Sequence, residues 1–202
     1  MKFSWHDRFD TEEYIYGEEP NPLVVEQIER LRGCNKVVAF AEGEGRNAVF
    51  LAREGFDVTA YDLAESGSKK TEKLAEKHGV SVMTKKVDLI RDEVEANEFD
   101  AAIMIFGHFR EKDQKNVFEK LLKAVKPGGI ILMEVYSKEQ LNYKTGGPDD
   151  RDMLYDPKNI LEWCKRHHVL HFFYGEQIRE EGSRHTGLAH VVQLVLKKRR
   201  LG

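Results

Sequence analysis

Apolar residues in this chain fall into two alternating patterns. V-V-A-F-A (37–41), D-A-A-I-M-I-F (100–106) and G-I-I-L-M-E-V-Y (129–136) are near-continuous apolar runs, the pattern of strands buried on both faces. F-D-V-T-A-Y (56–61) and the more polar V-S-V-M-T-K-K-V (80–87) predict two further strands. Between them the apolar positions recur every three or four residues. Arg46 to Glu54 places Ala48, Leu51 and Ala52 on one side, and Glu111 to Val125 turns Val117, Leu121, Leu122 and Val125 inward. Ser66 to His78 is a lysine- and glutamate-rich helix stopped by Gly79, and Gly55 stops the helix from Arg46 to Glu54. Ahead of them Asn21-Pro22 opens a helix to about Arg32, with Leu23, Val24, Ile28 and Leu31 at helical spacing and Gly33 as its stop.

The end of the chain breaks the alternation. After a predicted helix from Pro157 to His167, V-L-H-F-F-Y-G-E-Q-I (169–178) and H-V-V-Q-L-V-L (190–196) follow with only a polar, glycine-containing connection. Two strands without a helix between them predict an antiparallel hairpin at one sheet edge. The whole reads as an α/β fold: a doubly wound, mostly parallel seven-stranded sheet with an antiparallel terminal strand.

The chain has 202 residues, long enough for one domain with a substantial core, and no repeat or linker divides it. A net charge of -3 favours neither nucleic acid nor an anionic membrane, and the K-K-R-R run at 197–200 reads as a solvated tail. No apolar run reaches the length of a membrane span, and the N-terminus lacks a signal peptide's apolar core. Cys34 and Cys164 stand apart, outside any metal-spaced cluster, and read as free thiols of a cytoplasmic protein. No metal site is expected.

The first strand breaks into A-E-G-E-G-R-N (41–47) and then opens a helix. Gly43 and Gly45 allow a tight turn and a close approach of backbone to a ligand. Asp62 ends the second strand about 20 residues later, where an acid accepts hydrogen bonds from ribose hydroxyls. Asp88 ends the third strand, placed for a nucleobase amino group. Alone, this spacing fits nicotinamide dinucleotides as well as S-adenosylmethionine. The short chain, the Lys126-Pro127-Gly128-Gly129 turn and the terminal strand pair shift the balance to the latter.

With those stretches in view, the chain resembles the class I S-adenosylmethionine-dependent methyltransferases, and among them the small bacterial tellurite-resistance-like enzymes. The resemblance is carried by G-E-G-R-N-A-V-F-L-A (43–52), D-V-T-A-Y-D (57–62), V-D-L (87–89), F-D-A-A-I-M-I-F-G-H (99–108) and L-K-A-V-K-P-G-G (122–129). W-H-D-R-F (5–9), Y-I-Y-G-E-E-P-N (14–21), Q-L-N-Y-K-T-G-G-P (140–148) and H-T-G-L-A-H-V-V-Q (185–193) extend it over nearly the whole chain. It implies one methyltransferase domain over 1–202, with residues 1–33 forming a lid segment and helix packed on the core. It also implies a cofactor set of Gly43 and Gly45 under the methionine part and Arg46 and Asn47 opening the next helix. Asp62 takes the ribose, Leu63 lies against the adenine, Asp88 and Leu89 meet its amino edge, and Phe106 enters the pocket. Trp5 and Tyr16 are expected to fold over the cofactor.

Ala39 and Ala41 depart from the family pattern, which commonly has an acid and then a glycine at these places. Losing the acid removes a usual partner of the cofactor's ammonium group. Glu42, beside Ala41, is the expected replacement, with Glu44 as the other choice.

Methyl transfer from a sulfonium is an in-line substitution that needs alignment and exclusion of water more than a fixed catalytic motif. Acceptor-side candidates lie beyond the fourth and fifth strands and in the hairpin: His108, Tyr136, Arg179 and His185, with Phe109, Arg110, Tyr143 and Arg184 as further neighbours. Histidine and arginine together suit an anionic nucleophile, and histidine also takes a proton near neutral pH. The resulting expectation is methylation of a small molecule, a thiol, a chalcogen oxyanion or a like nucleophile. A non-catalytic S-adenosylmethionine-binding protein and a nicotinamide-dependent oxidoreductase are the alternatives.

Overall fold

The apolar run at 37–41 becomes β1 (Lys36–Phe40), the third strand of a seven-stranded sheet in the computed structural model, which describes residues 4–200. β2 (Asp57–Asp62), β3 (Met83–Lys86), β4 (Phe99–Ile105), β5 (Val125–Tyr136), β6 (His168–Glu181) and β7 (His185–Lys197) complete it in the order β3-β2-β1-β4-β5-β7-β6. The first five strands pair in parallel, and β7 runs antiparallel to both β5 and β6. The expected architecture and its antiparallel edge are therefore present.

The continuity of the apolar runs has a direct cause, because both faces of the sheet are covered. Successive side chains of a strand point to opposite faces, so Val37 and Ala39 pack with Val58, Leu51 and Leu74 on one side. Val38 and Phe40 pack with Met104, Val117 and Leu121 on the other. α3 (Arg46–Arg53) and α4 (Glu65–Lys77) cover the first face, and α5 (Glu111–Ala124) and α6 (Pro157–Cys164) the second. Fully burying one such Leu or Phe side chain is worth roughly 1.5–3 kcal/mol. Among the described residues, no helix is long and apolar enough to cross a membrane.

Ahead of the sheet lie α1 (Trp5–Phe9) and α2 (Pro22–Glu26). The helix expected to reach Arg32 ends at Glu26 and continues as a 3-10 turn over Ile28–Leu31. The tighter turn delivers Leu31 into the same core as Val24.

Three other boundaries differ from expectation. The K-P-G-G turn lies inside β5: the register with β4 jumps from Phe99↔Val125 to Ala101↔Ile130, so the intervening residues bulge out. The basic run at 197–200 is only partly a tail. Lys197 still pairs with Ile130, and Lys198 Nζ donates to the carbonyls of Leu122 (2.8 Å) and Val125 (2.6 Å). Finally, the hairpin strands run well past their apolar stretches, so that Glu181 pairs with His185 across a turn of three residues, 182–184.

Candidate active site

In an open α/β sheet, ligands bind beyond the strand carboxyl ends where the strand order reverses, here between β1 and β4. Both strands end there in a residue forced to positive φ, Ala41 at 51° and Phe106 at 55°. Such backbone states cost energy in residues with a Cβ and collect at functional sites.

The loop after Ala41 is fixed by carboxylates. Glu42 Oε1 accepts from the amides of Asn47 (2.9 Å) and Ala48 (2.8 Å), capping α3, whose own N-cap, Gly45, offers no side chain. Burial pushes the Glu42 carboxyl up to about 7, against the pull of the Ala48 and Asn47 amides and the Arg46 charge. Asp62 Oδ2 accepts from the Gly43 amide at 2.8 Å, while Oδ1 accepts from Ala64 at 2.7 Å. The end of β2 thereby holds the glycine turn.

The two glycines are required by packing. A Cβ on Gly45 would sit 2.7 Å from the Cα of Thr71 in α4, and one on Gly43 would sit 3.1 Å from the Phe9 ring of α1. Glu44, between them, does not face water. It is 3% exposed and accepts from the amides of Ile15 (3.3 Å) and Tyr16 (3.2 Å) and from Lys70 Nζ at 2.6 Å. The N-terminal segment is thus tied to the loop itself.

Asp88 follows β3, and its Oδ1 accepts from the amides of Ile90 (3.0 Å) and Arg91 (3.3 Å), closing a turn. Leu89 is buried, and Leu63 is exposed beside Asp62. An open apolar side chain beside an acid suits one face of an adenosine.

Beyond Phe106, a polar cluster fills the space between β5 and the hairpin. Glu134 Oε1 accepts from Arg179 Nη2 (2.5 Å) and Asn21 Nδ2 (3.0 Å), and Glu134 Oε2 accepts from Gln193 Nε2 (2.5 Å). Glu181 accepts from the same Asn21 amide (3.1 Å) and from Arg46 Nη2 (2.5 Å). Burial alone would raise the Glu181 carboxyl, but His185, Arg46 and Arg179 outweigh it and hold it at about 2. Here are the residues that sequence reasoning missed: Asn21, Glu134 and Glu181. One signal was available, since Glu134 interrupts an apolar strand run and a charge buried there needs a partner.

A line of rings leads from the N-terminal segment into this cluster. Trp5 stacks on Phe9 at 5.6 Å, Phe9 meets Tyr16 at 6.3 Å, and Tyr16 meets His185 at 4.5 Å. Phe106 lies 4.7 Å from His185 and 4.5 Å from Tyr136, which stacks on His108 at 5.5 Å. Tyr16 also accepts from Arg8 Nη1 at 3.1 Å. His108 Nδ1 lies 3.0 Å from the Met153 carbonyl, and burial lowers its imidazole to about 4.

Five side-chain atoms of this region are buried without a hydrogen-bond partner in the protein: Arg46 Nη1, Arg179 Nε, His108 Nε2, Tyr136 Oη and His185 Nδ1. The last is 3.9 Å from Glu181, too far for a hydrogen bond. Of the other acceptor-side neighbours, Arg110 is occupied at the surface by Asp152 (3.0 Å) and Asp150 (3.4 Å), and Tyr143 donates to Glu176 at 2.7 Å. Phe109 packs against the core, and Arg184 is exposed in the hairpin turn. These four stand outside the cluster.

Comparison with known proteins bears on the fold that carries these residues. Residues 37–129 match the family model described as a methyltransferase domain. No curated protein sequence matches the chain. Among solved structures, the TehB protein of Haemophilus influenzae is 18% identical with a TM-score of 0.70, covering 87% of this chain, which spans 61% of that one. A protein of Pyrococcus horikoshii OT3 is 18% identical with a TM-score of 0.67, covering 98% and 97% of the two chains. An S-adenosylmethionine-dependent methyltransferase of Clostridium acetobutylicum is 13% identical with a TM-score of 0.68, covering 96% and 95%. At these identities the likeness is one of fold. The match over residues 37–129 to a methyltransferase domain implies S-adenosylmethionine as the cofactor. The residues present fit that molecule. Arg46 Nη1 is an unsatisfied cationic donor beside the glycine loop, suited to a carboxylate, and Glu42 and Asp62 are acids suited to an ammonium and a diol.

Proposed function

We propose that the protein moves the methyl group of S-adenosylmethionine to a small-molecule nucleophile, a thiol, a chalcogen oxyanion or a related group. The observation that carries this reading is the set of unpartnered polar atoms around Phe106, namely His108 Nε2, Tyr136 Oη and His185 Nδ1. They adjoin the end of β4, next to the loop of the methyltransferase domain. Buried polar atoms cost stability unless satisfied, so a cluster of them at the ligand edge of the sheet is a receptor for a polar group.

In this reading the cofactor supplies an electrophilic methyl on a sulfonium, and the chain aligns and shields the partners. Ala41 to Asn47 hold the methionine part, with Arg46 on its carboxylate and Glu42 in place of the acid absent at Ala39. Asp62 takes the ribose, Leu63, Asp88 and Leu89 hold the adenine, and Phe106 separates cofactor from acceptor. Trp5 and Tyr16 close over both and exclude water. Tyr136, His108 and His185 hold the acceptor, and Arg179 positions the cluster through Glu134. The tellurite-resistance likeness read from the sequence supplies the chalcogen oxyanions of that acceptor range.

Calorimetry with S-adenosylmethionine and S-adenosylhomocysteine tests the assignment, and absence of binding to both overturns it. Binding without methyl transfer across a broad acceptor panel favours a non-catalytic cofactor-binding protein instead. A fluorescence titration with NADH separates the oxidoreductase alternative.

A further inference from the structure

His108 has only one way to satisfy its geometry. Its Nδ1 faces the Met153 carbonyl at 3.0 Å, and a carbonyl only accepts, so Nδ1 carries the hydrogen. That leaves Nε2 as a bare lone pair, buried and without a partner. The ring lies beside the stacked pair of Phe106 and Tyr136, 6.4 Å and 5.5 Å from them and nearly parallel to both at 11° and 12°. A ligand group that satisfies Nε2 has to bring a hydrogen with it. Tyr136 Oη, on the ring stacked beside His108, is also buried and unpartnered.

A cleft of about 470 Å³ opens between the lid segment and the hairpin tip, with Tyr16 and Glu181 on its wall. Tyr16 and Glu181 both border His185, which meets Tyr136 at 5.2 Å. Glu18, Glu19 and Glu180 also line the cleft, with Glu18 paired to Lys77 and Glu181 to Arg46. An oxyanion has no hydrogen to give Nε2.

On the methyltransferase reading above, we infer that the acceptor is a neutral protic nucleophile, a hydroxyl or thiol that keeps its hydrogen until transfer, and that His108 Nε2 receives that hydrogen. The oxygen or sulfur of the acceptor forms its bond to the methyl carbon as the carbon–sulfonium bond breaks. The broken bond's electron pair stays on the leaving sulfur, which becomes a neutral thioether. The X–H proton passes to Nε2, giving an imidazolium that the Nδ1–Met153 bond steadies, and it leaves to water when the lid opens. The titratable groups facing His108 are His185, Tyr136 and Tyr155. Burial keeps the free imidazole neutral across the physiological range. It is basic enough for an acceptor oxygen or sulfur that has just become cationic.

The test uses the full chain, with His108→Asn keeping a donor toward Met153 and His108→Gln placing an acceptor near the Nε2 position. S-adenosylhomocysteine affinity is measured by calorimetry. Methyl transfer is then followed for small phenols, alcohols and thiols and, separately, for selenite and tellurite. Nitrogen-15 NMR of the imidazole reads the tautomer of His108. The expected result is turnover of protic acceptors, a fall in kcat/KM of at least about 100-fold in His108→Asn and partial recovery in His108→Gln. Homocysteine-adduct affinity stays within about twofold, and His108 remains the neutral Nδ1–H tautomer from about pH 5.5 to 8. Turnover confined to the oxyanions, absence of turnover with every protic acceptor, full activity in His108→Asn or a hydrogen on Nε2 overturns the inference. Loss of S-adenosylhomocysteine binding in the unaltered protein instead removes the reading on which it rests.

Discussion

Arg179 Nη2 lies 2.5 Å from Glu134 Oε1, and the two side chains are 1% and 0% exposed. The pair joins the edge hairpin to β5, and Asn21 links the lid's end to the same carboxylate. Removing one partner strands a charge in a dry interior, which typically costs 3–5 kcal/mol. Arg179→Met is expected to lose about that much in urea unfolding. The double variant with Glu134→Gln is expected to lose less than the sum of the singles, by more than about 1 kcal/mol. Additive losses would show that the two act separately.

Glu44 and Lys70 form the latch of the lid, with Lys70 Nζ reaching also the Glu13 carbonyl at 2.6 Å. Glu44→Ala takes the acceptor from the Ile15 and Tyr16 amides and leaves Lys70 without its counter-charge. Hydrogen exchange at those two amides is expected to accelerate at least about tenfold, a loss of about 1.4 kcal/mol in local stability. Exchange in β1 and β4 should change far less. Unaltered protection at Ile15 and Tyr16 would mean that the lid is held elsewhere.

Gly45 and Gly55 have nearly the same backbone, with φ of 96° and 94°, but different surroundings. A Cβ at Gly55 meets nothing within 4 Å, whereas at Gly45 it meets the Thr71 backbone. Gly55→Ala is therefore expected to show only the left-handed strain of about 1–2 kcal/mol. Gly45→Ala adds overpacking of about 1–3 kcal/mol, and Thr71→Ala should not rescue it because the Cα remains. Equal melting temperatures for the two variants would contradict the packing role.

The parts of this molecule that were legible in the sequence are those governed by period and punctuation. The run V-V-A-F-A, the Gly43 and Gly45 turn and Asp62 at the end of β2 all follow from local rules. What escaped is what depends on distant partners. The polar residues 179–181 read as connection because their alternation is electrostatic: Arg179 and Glu181 turn inward to Glu134 and Arg46, while Glu180 faces out. Glu44 read equally well as solvated, since its partners lie in segments far away along the chain. Lys198 likewise read as tail until the carbonyls at the end of α5 gave it acceptors.

Glu42 gives the most direct test of the altered loop. Its carboxyl titrates at about 7 in the fold against an ordinary 4.5, so between those values the folded state holds a proton that the unfolded chain has lost. Stability from this group is therefore fully present below about pH 4.5 and declines as pH rises to about 7. Glu42→Gln keeps an acceptor for the Asn47 and Ala48 amides but has no proton to lose. The stability of the native protein minus that of Glu42→Gln is expected to fall by up to about 3 kcal/mol over this window and then level off. Urea unfolding at half-unit pH intervals measures it, and a difference that is flat or rises with pH would contradict the assignment. The same titration reports on the cofactor. If Glu42 faces the methionine ammonium, binding favours its carboxylate, and a proton is released near pH 6.5 to 7. The calorimetric enthalpy of S-adenosylhomocysteine binding should then depend on the ionisation enthalpy of the buffer. That dependence should vanish in Glu42→Gln, and its persistence there would assign the proton, and the ammonium contact, to another group.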